Sequence, residues 1–478
     1  MKYKAVIGLE IHVQLNTITK AFCGDANLYG EAPNTLVSPI SLGHPGTLPM
    51  HNIKAIENAT KLGLALNCRI TRINQYARKN YFYADLPKGF QITQDKTPLC
   101  TGGFVEITDT EGKPKKIHLT RIHMEEDTGK SMHDQDIYDT LVDYNRAGVP
   151  LVEIVSEPEI ANGDEAYQYL AEIRRLVRYL DVCDGNMEEG SMRCDANVSV
   201  MLADSNEYGT KVEVKNMNSM TNVKKAIEFE IQRQIECLES GQTIVSETRS
   251  FNAAKSNTVS MRSKESAQDY RYFPEPDLPP FVVTDEFLSK MKSALPELPK
   301  ILYQRLQTDF NLPAYDAGVL TEDKATAEYY LALIKDCSNY KAASNWVLGP
   351  VKSWMNENAK SIKEFPITTH KLAALIALVD NNTISHTAAS GPVFTQLVKE
   401  PNDNPLTIAE GLNLIQTSDT GLLEGFIVET LSKYPDKVSE YKAGKKGLLG
   451  LFVGEVMKLS KGSADPKKVN ELLTKALN

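Results

Sequence analysis

The sequence predicts an α+β fold, with a mixed or antiparallel sheet in the first half of the chain and helices after it. Up to about residue 250, short segments alternate apolar and polar residues and are separated by turn signals such as Gly102-Gly103. Two stretches of this half repeat apolar residues every three or four positions, which predicts helices over 163–181 and 222–240. Between Pro274 and Pro299, six prolines end the alternation, and the later segments have a helical pattern.

The length of 478 residues is enough for about three domains of roughly 150 residues each. A second break falls in the segment KEPNDNPLT, at 399–407. We therefore predict a sheet domain over 1–290, a helical domain over 291–400 and a helical tail over 401–478.

Composition excludes several classes of protein. The formal net charge of −9 excludes a chain that coats nucleic acid without specificity, so any such contact needs a local basic patch. The seven cysteines include no C-x-x-C pair, which predicts reduced thiols rather than a disulfide framework. No apolar run approaches the roughly 18 residues that a membrane span needs, and no secretion signal is evident, so we expect a cytoplasmic protein.

The first predicted strand, VIGLEIHVQL at 6–15, carries chemistry on one face. Alternation sends its odd-numbered aliphatic residues to one side, and sends Glu10 and His12 together to the other. Three later segments place polar side chains on one face in the same way, namely RIHMEED, GSMRCDANVSV and KVEVKN, which begin at residues 121, 190 and 211. Each segment alone is typical of the solvent-facing side of an antiparallel sheet.

Together the four segments favour a polar cradle, because Asp, Asn, Ser and Gly are poor strand formers. Oxygen ligands on neighbouring strands can converge on hard cations, and basic residues beside them can face phosphate. The candidate metal ligands are Glu10, His12, Glu125 and Asp195. The candidate nucleotide-binding residues are Ser191, Arg193, Lys211 and Lys215.

Glu153 is a further candidate metal ligand, but its apolar neighbours leave a solvated acid and a buried ligand equally open. The common nucleotide motifs are missing from the sequence. Gly129-Lys130-Ser131 imitates the end of a Walker A loop, but residue 124 is Met rather than Gly. If ATP binds, we expect it to bind a sheet face through metal ions and basic residues.

Two further patterns have both an ordinary and a functional interpretation. The aromatic stretches NYFYADLPKGFQITQ at 80–94 and DYRYFPEPDLPP at 269–280 are typical of packed loops. Seven lysines and two acids lie between Lys442 and Lys468, which fits either a solvated helix face or contact with an RNA backbone. The candidate RNA-binding lysines are Lys442, Lys445, Lys446, Lys458 and Lys461.

Ordered motifs along essentially the whole chain resemble one family. The segments are VIGLEIHVQL, NYFYADLPKGFQITQ, RIHMEEDTGKS, DYNRAGVPLVEIVSEPE, MRCDANVSV, VEVKNMNS, DYRYFPEPDLPP and YKAGKKGLLGLFVGEVMK. They resemble the B subunits of the tRNA-dependent aspartyl/glutamyl amidotransferases.

This resemblance implies a cradle similar to glutamine synthetase and the guanido kinases, then a helical domain and a small tail that grips tRNA. It implies phosphorylation of Asp-tRNA(Asn) or Glu-tRNA(Gln) with ATP and Mg²⁺, together with an amidase A subunit and a small C subunit. The family's kinase site then coincides with the cradle, whose catalytic candidates are Glu10, His12, Glu125, Arg193 and Asp195. The sequence has no amidase nucleophile motif, so ammonia should come from a partner subunit.

The sequence departs from the family at one metal site. Many relatives carry four cysteines where this chain has Cys23, Asp25, Ser38 and Ser41, so we expect no zinc here. Two alternatives to an amidotransferase kinase stay open. One is a non-catalytic tRNA-binding scaffold in the same complex, and the other is a stand-alone ligase that amidates a small acid.

Overall fold

A computed structural model describes residues 2–133, 135–263, 269–416, 420–460 and 464–477 of the chain. The chain divides into two compact units, Met1–Leu298 and Pro299–Asn478. The first unit combines a large sheet with helices and the second is helical, which confirms the predicted α+β class. The division into three domains stays a prediction. None of the described helices is both long and apolar enough to cross a bilayer.

The strands of the first unit vary from two to thirteen residues. In chain order they are β1 Tyr3–Gln14, β2 Arg69–Ile70, β3 Ile73–Asn74, β4 Ala77–Asn80, β5 Phe90–Thr93, β6 Cys100–Thr101, β7 Phe104–Thr108, β8 Pro114–Glu126, β9 Lys130–Met132, β10 Leu141–Asp143, β11 Pro150–Ser156, β12 Met192–Leu202, β13 Val212–Met217, β14 Glu247–Asn252, β15 Asn257–Ser263, β16 Phe273–Pro274 and β17 Phe281–Val282.

A mixed sheet dominates this unit, with the order β15-β14-β13-β12-β1-β11-β8-β6-β2 among the described strands and β7 paired to β8. β13 and β14 run parallel, whereas β1 pairs antiparallel with both of its neighbours. β1 therefore lies in the middle of the sheet, between the strands that carry the other polar segments.

Alternation fixes which face of β1 is buried. Ile7, Leu9 and Ile11 are completely buried and pack with helices of the same unit, whereas Glu10 and His12 point to the opposite face. Each such aliphatic side chain contributes about 1.5–3 kcal/mol relative to an exposed position. A one-residue slip of β1 would exchange the two faces, so this burial also fixes the register.

The helices of the first unit cover the apolar side of the sheet. They are α1 Ile53–Ala65, α2 Gly163–Tyr179, α3 Met220–Glu239 and α4 Asp285–Ser293. The predicted helices over 163–181 and 222–240 correspond to α2 and α3. Both begin at a side-chain cap, where Asn162 accepts from Glu165 N and Ser219 accepts from Asn222 N.

A small three-stranded sheet, β16-β4-β5, packs against the end of β8 through β5. The attachment is polar, because Gln91 Nε2 donates to Glu126 O over 2.7 Å and Ile92 N donates to the Glu126 carboxylate over 2.9 Å. Since a second sheet covers this part of β8, Glu125 and Glu126 are buried although their strand carries polar residues.

The second unit is helical. Its α-helices are α5 Pro299–Thr308, α6 Ala314–Leu320, α7 Lys324–Leu333, α8 Tyr340–Trp346, α9 Lys352–Asn358, α10 Thr369–Asp380, α11 His386–Ala388, α12 Phe394–Lys399, α13 Pro405–Gly411, α14 Thr420–Lys433, α15 Pro435–Lys442, α16 Leu449–Leu459 and α17 Pro466–Leu477. Short 3₁₀ turns occur at Ile362–Glu364 and Lys446–Leu448. π-helical turns at Val347–Val351 and Ala389–Val393 each contain a proline, which cannot continue the α-helical hydrogen bonding.

The last four helices share a hydrophobic cluster of their own. Leu423, Tyr441, Phe452, Val469 and Leu473 are buried in it. In contrast, α13 packs against α10 and α12, which belong to the earlier part of the unit. The tail helices therefore bury their apolar faces mainly against one another.

Candidate active site

Three neighbouring strands bring His12, Glu125 and Glu153 together on the polar face of the large sheet. Glu153 lies opposite His12 across the β1–β11 ladder and opposite His123 across the β11–β8 ladder. The His12 Nε2 atom is 3.6 Å from Glu125 Oε1 and 3.5 Å from Glu153 Oε2. We call His12, Glu125 and Glu153 the triad.

His123 completes this cluster from the side of β8. Its Nε2 atom is 3.6 Å from Glu125 Oε2 and 3.5 Å from Glu153 Oε2. Its Nδ1 atom is buried and has no hydrogen-bond partner among the described residues. The alternation of β8 placed His123 on the polar face, but sequence reasoning assigned it no role in the site.

The triad holds opposite charges close together. Burial lowers the pKa of His12, but the hydrogen bond to Glu153 and the charges of Glu125 and Glu153 outweigh this effect, so the pKa is raised overall. Burial raises the pKa of Glu153, but the two histidines and Lys79 outweigh it and lower that pKa to about 2. Glu153 is therefore a carboxylate at neutral pH and lies within this cluster, and its role as a metal ligand stays a prediction.

The triad fits a divalent cation. One nitrogen and two carboxylate oxygens from its three side chains all lie within 4.8 Å of one another. Two carboxylates supply two negative charges and hard oxygen ligands, as Mg²⁺ requires, and an imidazole nitrogen is also a metal ligand. The three side chains therefore offer one nitrogen and two oxygens, with the two oxygens 3.6 and 3.5 Å from the His12 nitrogen.

A second polar group lies on β12 and β13, beside the triad. The ammonium of Lys215 forms ion pairs with Asp195 and with Glu213, the latter over 3.2 Å. Burial lowers the pKa of Lys215, but these two carboxylates outweigh it and raise that pKa. Glu10 lies opposite Asp195 across the ladder and accepts a hydrogen bond of 2.8 Å from Asn197. Glu10 is therefore next to the triad but not one of its three converging side chains.

A third polar group holds Arg193 in place. Arg193 lies opposite His12 and donates to Asp127 over 2.7 Å, while Gln14 donates to the same carboxylate oxygen over 2.8 Å. Burial raises the pKa of Asp127, but the charges of Arg193 and Arg146 outweigh it and lower that pKa. Asp127 and Arg146 were not predicted. The alternation of the segment RIHMEED places Asp127 on the polar face, although β8 itself ends at Glu126. Alternation does not reveal that Asp127 pairs with Arg193.

Two predicted nucleotide-binding residues are not brought to the triad. The Ser191 hydroxyl bonds with Asp184 and Asn186 in the loop before β12. Lys211 is exposed and precedes the first residue of β13. Their roles stay predictions.

The small sheet adds residues that sequence reasoning left out of the site. Thr93 donates to Glu125 Oε2 over 3.4 Å, and the charge of Lys79 helps to lower the pKa of Glu153. Burial, assisted by the charge of Glu125, raises the pKa of Tyr81. Burial also raises the pKa of Tyr272 to about 12, with a contribution from Glu125 and Glu153. The aromatic stretches were the available signal for these residues.

The four positions of the family's zinc site do not form a zinc-binding set here. Burial raises the pKa of the Cys23 thiol to about 11, so it is protonated at neutral pH. The neighbouring side chains are a carboxylate, Asp25, and two hydroxyls, Ser38 and Ser41. Completely buried Lys20 lies beside them and donates to Leu36 O over 2.6 Å. One thiol, one carboxylate and two hydroxyls do not fit structural zinc, and an ammonium already supplies positive charge.

Four of the five predicted RNA-binding lysines, Lys442, Lys445, Lys446 and Lys458, are exposed on the tail helices and their connections. Lys445 pairs with Glu440 over 3.1 Å, and the Lys446 ammonium is 4.2 Å from the centre of the Tyr441 ring. Lys461 lies outside the described residues. The exposure of these lysines leaves both interpretations open, because either a solvated face or an RNA contact requires it.

Comparison with known proteins agrees with the resemblance. The family of the GatB/GatE catalytic domain matches residues 5–289, and the family of the GatB domain matches residues 328–477. The B subunit of the aspartyl/glutamyl-tRNA(Asn/Gln) amidotransferase of Chlorobium phaeobacteroides is 48% identical over 478 residues, 100% of each chain. The proteins of the same name from Geotalea daltonii and Bdellovibrio bacteriovorus are 49% and 48% identical, and at least 99% of each chain is covered.

Proposed function

Because the chain belongs to the family of aspartyl/glutamyl-tRNA(Asn/Gln) amidotransferase B subunits, we propose that it phosphorylates a tRNA-linked carboxylate with ATP. The carboxylate is the side chain of aspartate on tRNA(Asn), of glutamate on tRNA(Gln), or of both. The observation that carries this proposal is the triad, flanked on one polar sheet face by the cations Arg193 and Lys215.

The chemistry explains why such a face is needed. A carboxylate resists attack by ammonia, so one of its oxygens first attacks the γ-phosphorus of ATP, and ADP leaves. Ammonia then attacks the acyl carbon, inorganic phosphate leaves, and the released proton passes to solvent. Phosphoryl transfer depends on positioning and on neutralising charge rather than on a covalent protein intermediate.

The residues divide these tasks. The triad would hold Mg²⁺, with Glu10 and Asp195 as further candidate ligands, and the ion supplies neutralisation of phosphate charge when bound. Arg193 and Lys215 would neutralise phosphate oxygens, since each is a cation held beside the triad by a carboxylate. Asp127 and Asp195 thereby fix where the positive charges lie before the substrate arrives.

The remaining parts of the activity fall to other molecules and to the tail. Glutamine would supply ammonia through a partner amidase subunit, and with a small C subunit the complex would be a heterotrimer. The exposed tail lysines would contact the tRNA backbone. The protein would act in the cytoplasm, where aminoacylated tRNA is made and used.

The test is reconstitution of the complex with ATP, glutamine and each misacylated tRNA, followed by identification of the amino acid released from the product tRNA. We expect asparagine from Asp-tRNA(Asn), glutamine from Glu-tRNA(Gln), or both, together with ADP. Amidation without ATP, or of free aspartate or glutamate without tRNA, would contradict the proposal. The second result would favour the stand-alone ligase.

A further inference from the structure

A row of tyrosines lies on the small sheet and the loops that extend from it. The ring centres of Tyr83 and Tyr81 are 5.8 Å apart, those of Tyr81 and Tyr270 are 5.9 Å apart, and those of Tyr270 and Tyr272 are 6.0 Å apart. Each pair meets edge to face, which is a favourable arrangement of aromatic rings. We call these four residues the aromatic ladder.

The aromatic ladder lies at one end of the small sheet, and β5 of that sheet contacts the triad. Asn80 N donates to Tyr270 O over 2.9 Å, which ties the two aromatic loops together where β4 ends. β4 pairs with β5, whose Thr93 donates to the triad residue Glu125 over 3.4 Å. Lys79 precedes Asn80, and its ammonium is 4.8 Å from the centre of the Tyr270 ring. The ladder is therefore fixed beside the reacting centre, with a cation against it.

The loop that carries the outer end of the ladder is held by hydrogen bonds. Tyr144 Oη donates to Ala84 O over 2.7 Å, Gly129 N donates to Asp85 O over 2.8 Å, and Leu86 N donates to Tyr83 O over 3.1 Å. Phe82, in this loop, is nevertheless 92% exposed. An ordered loop thus presents a large apolar ring to solvent next to Tyr81 and Tyr83, and such exposure is typical of a binding surface.

We infer that Phe82 stacks against the terminal nucleobase at the unpaired 3′ end of the aminoacylated RNA, beside the outer end of the aromatic ladder. The inference rests on the proposed function, because the reacting carboxylate then belongs to an amino acid esterified to the terminal ribose. When that carboxylate is at the triad, the attached base is separated from it by the amino acid, the ester bond and the ribose, so it must lie in the surroundings of the triad. An exposed ring on an ordered loop is a suitable stacking surface, and every base has a face that can use it.

Charge beside the ladder favours RNA over a protein occupant. Lys79 lies against the ladder, and Arg271, which follows Tyr270, is 84% exposed at its side chain and lies 3.8 Å from the exposed carboxylate of Asp269. Cations interleaved with aromatic rings are the usual combination in surfaces that bind single-stranded nucleic acid, because rings contact bases while cations contact phosphates.

The test removes the ring and the base separately and together. The complete complex is assayed with misacylated tRNA whose terminal nucleotide carries either adenine or no base, with wild-type chain, Phe82→Ala or Phe82→Trp. We expect Phe82→Ala to raise KM for the adenine-containing tRNA about tenfold, with kcat nearly unchanged. Phe82→Trp should retain the wild-type KM. With the abasic tRNA, Phe82→Ala should have little further effect, since the partner of the ring is already missing.

Tyr208→Ala is the matched control, because Tyr208 is also exposed, at 71%, in the loop between β12 and β13. The inference would be overturned if wild type and Phe82→Ala had equal KM for the adenine-containing tRNA. It would also be overturned if the effects on KM of removing the ring and of removing the base were fully additive. Loss of subunit assembly in Phe82→Ala would overturn it as well, because this result would assign the ring to a protein interface. Failure of the proposed function gives a different result, in which wild-type complex does not amidate the adenine-containing tRNA.

Discussion

Arg193 donates to Asp127 over 2.7 Å, although the two residues are 66 positions apart in the chain. The guanidinium lies opposite His12 in the ladder, and the carboxylate immediately follows β8. A single ion pair thus joins β12, on one side of β1, to the end of β8, on the other side. It fixes a positive charge next to the triad, where we propose that phosphate binds.

Asp127→Asn should lower the free energy of unfolding by about 1–3 kcal/mol, because it leaves the partly buried Arg193 without its charged partner. The pKa of Asp127 is lowered in the folded state, so this stabilisation is present above the unfolded value of about 3.9. It is lost as the pH falls through the folded pKa. The difference between wild type and variant in urea unfolding should therefore shrink as the pH falls below about 3.9.

The control is Asp285→Asn. Asp285 pairs with Arg72, but its side chain is 92% exposed, so its removal should change stability by at most about 1 kcal/mol. If Asp127→Asn is no more destabilising than this variant at neutral pH, the pair does not hold Arg193 in place.

Purified protein should contain no stoichiometric zinc, because the Cys23 thiol has no thiolate partners and lies beside the Lys20 ammonium. Metal analysis of the purified chain, without prior treatment with a chelator, checks this. One zinc per chain that disappears in Cys23→Ala would show that this loop does bind metal.

Removal of residues 420–478 should weaken tRNA binding and make its salt dependence shallower, since fewer phosphates are then neutralised. The cut spares α13, which packs against α10 and α12, and removes the tail helices with their separate cluster. The truncated chain with its partner subunits should still amidate when tRNA is in large excess. Binding titrations at several salt concentrations provide the measurement.

A milder variant keeps the tail fold. Lys442, Lys446 and Lys458 are exposed, so changing all three to alanine should reduce the salt slope without unfolding the tail. An unchanged affinity and slope in both variants would mean that these lysines are only a solvated face.

Much of the fold could be predicted because alternation determines which side chains share a face. It placed Glu10 with His12 on one face of β1, and it placed Arg193 with Asp195 on one face of β12. Alternation does not give the order of the strands. The contact of His12 with Glu125 and Glu153 depends on β1 lying next to β11 and β11 next to β8.

The interpretation of Glu153 was ambiguous because the polar face of β11 is itself largely buried. Leu151 lies on the same face as Gln14 and Glu125, yet it is buried. The apolar residues around Glu153 in the sequence therefore did not indicate an edge that is open to solvent. Lys211 illustrates another limit of the alternation pattern. Lys211 alternates with Glu213 and Lys215 in the sequence, but β13 begins only at Val212. Alternation assigns a side chain to a sheet face only within a strand, so it does not determine the direction of Lys211.

The small sheet could not be predicted as part of the site. Lys79 and Tyr272 come from segments almost two hundred residues apart, which meet because β4 pairs with β16. The sequence signal for Tyr272 was aromatic composition alone, and Lys79 lies just outside the first aromatic stretch. Composition carries no information about which strand face the rings cover.

If the triad supports phosphorylation of the carboxylate, its loss must abolish amidation even when ammonium chloride replaces glutamine. Free ammonia bypasses the amidase, so amidation then depends on the phosphorylation step. With misacylated tRNA and ATP, wild-type complex should form amide and ADP in equal amounts. His12→Ala, Glu125→Gln and Asp195→Asn should each reduce both products at least about a hundredfold, with tRNA affinity unchanged.

The matched control for these variants is Glu159→Gln, which removes a carboxylate paired with a histidine, His118, at an exposed position. It should amidate at the wild-type rate. Loss of amide and ADP in the three site variants, with Glu159→Gln intact, is the predicted result. Wild-type amidation from ammonium in any two of the three variants would contradict the account, and would assign the chain the role of a tRNA-binding scaffold.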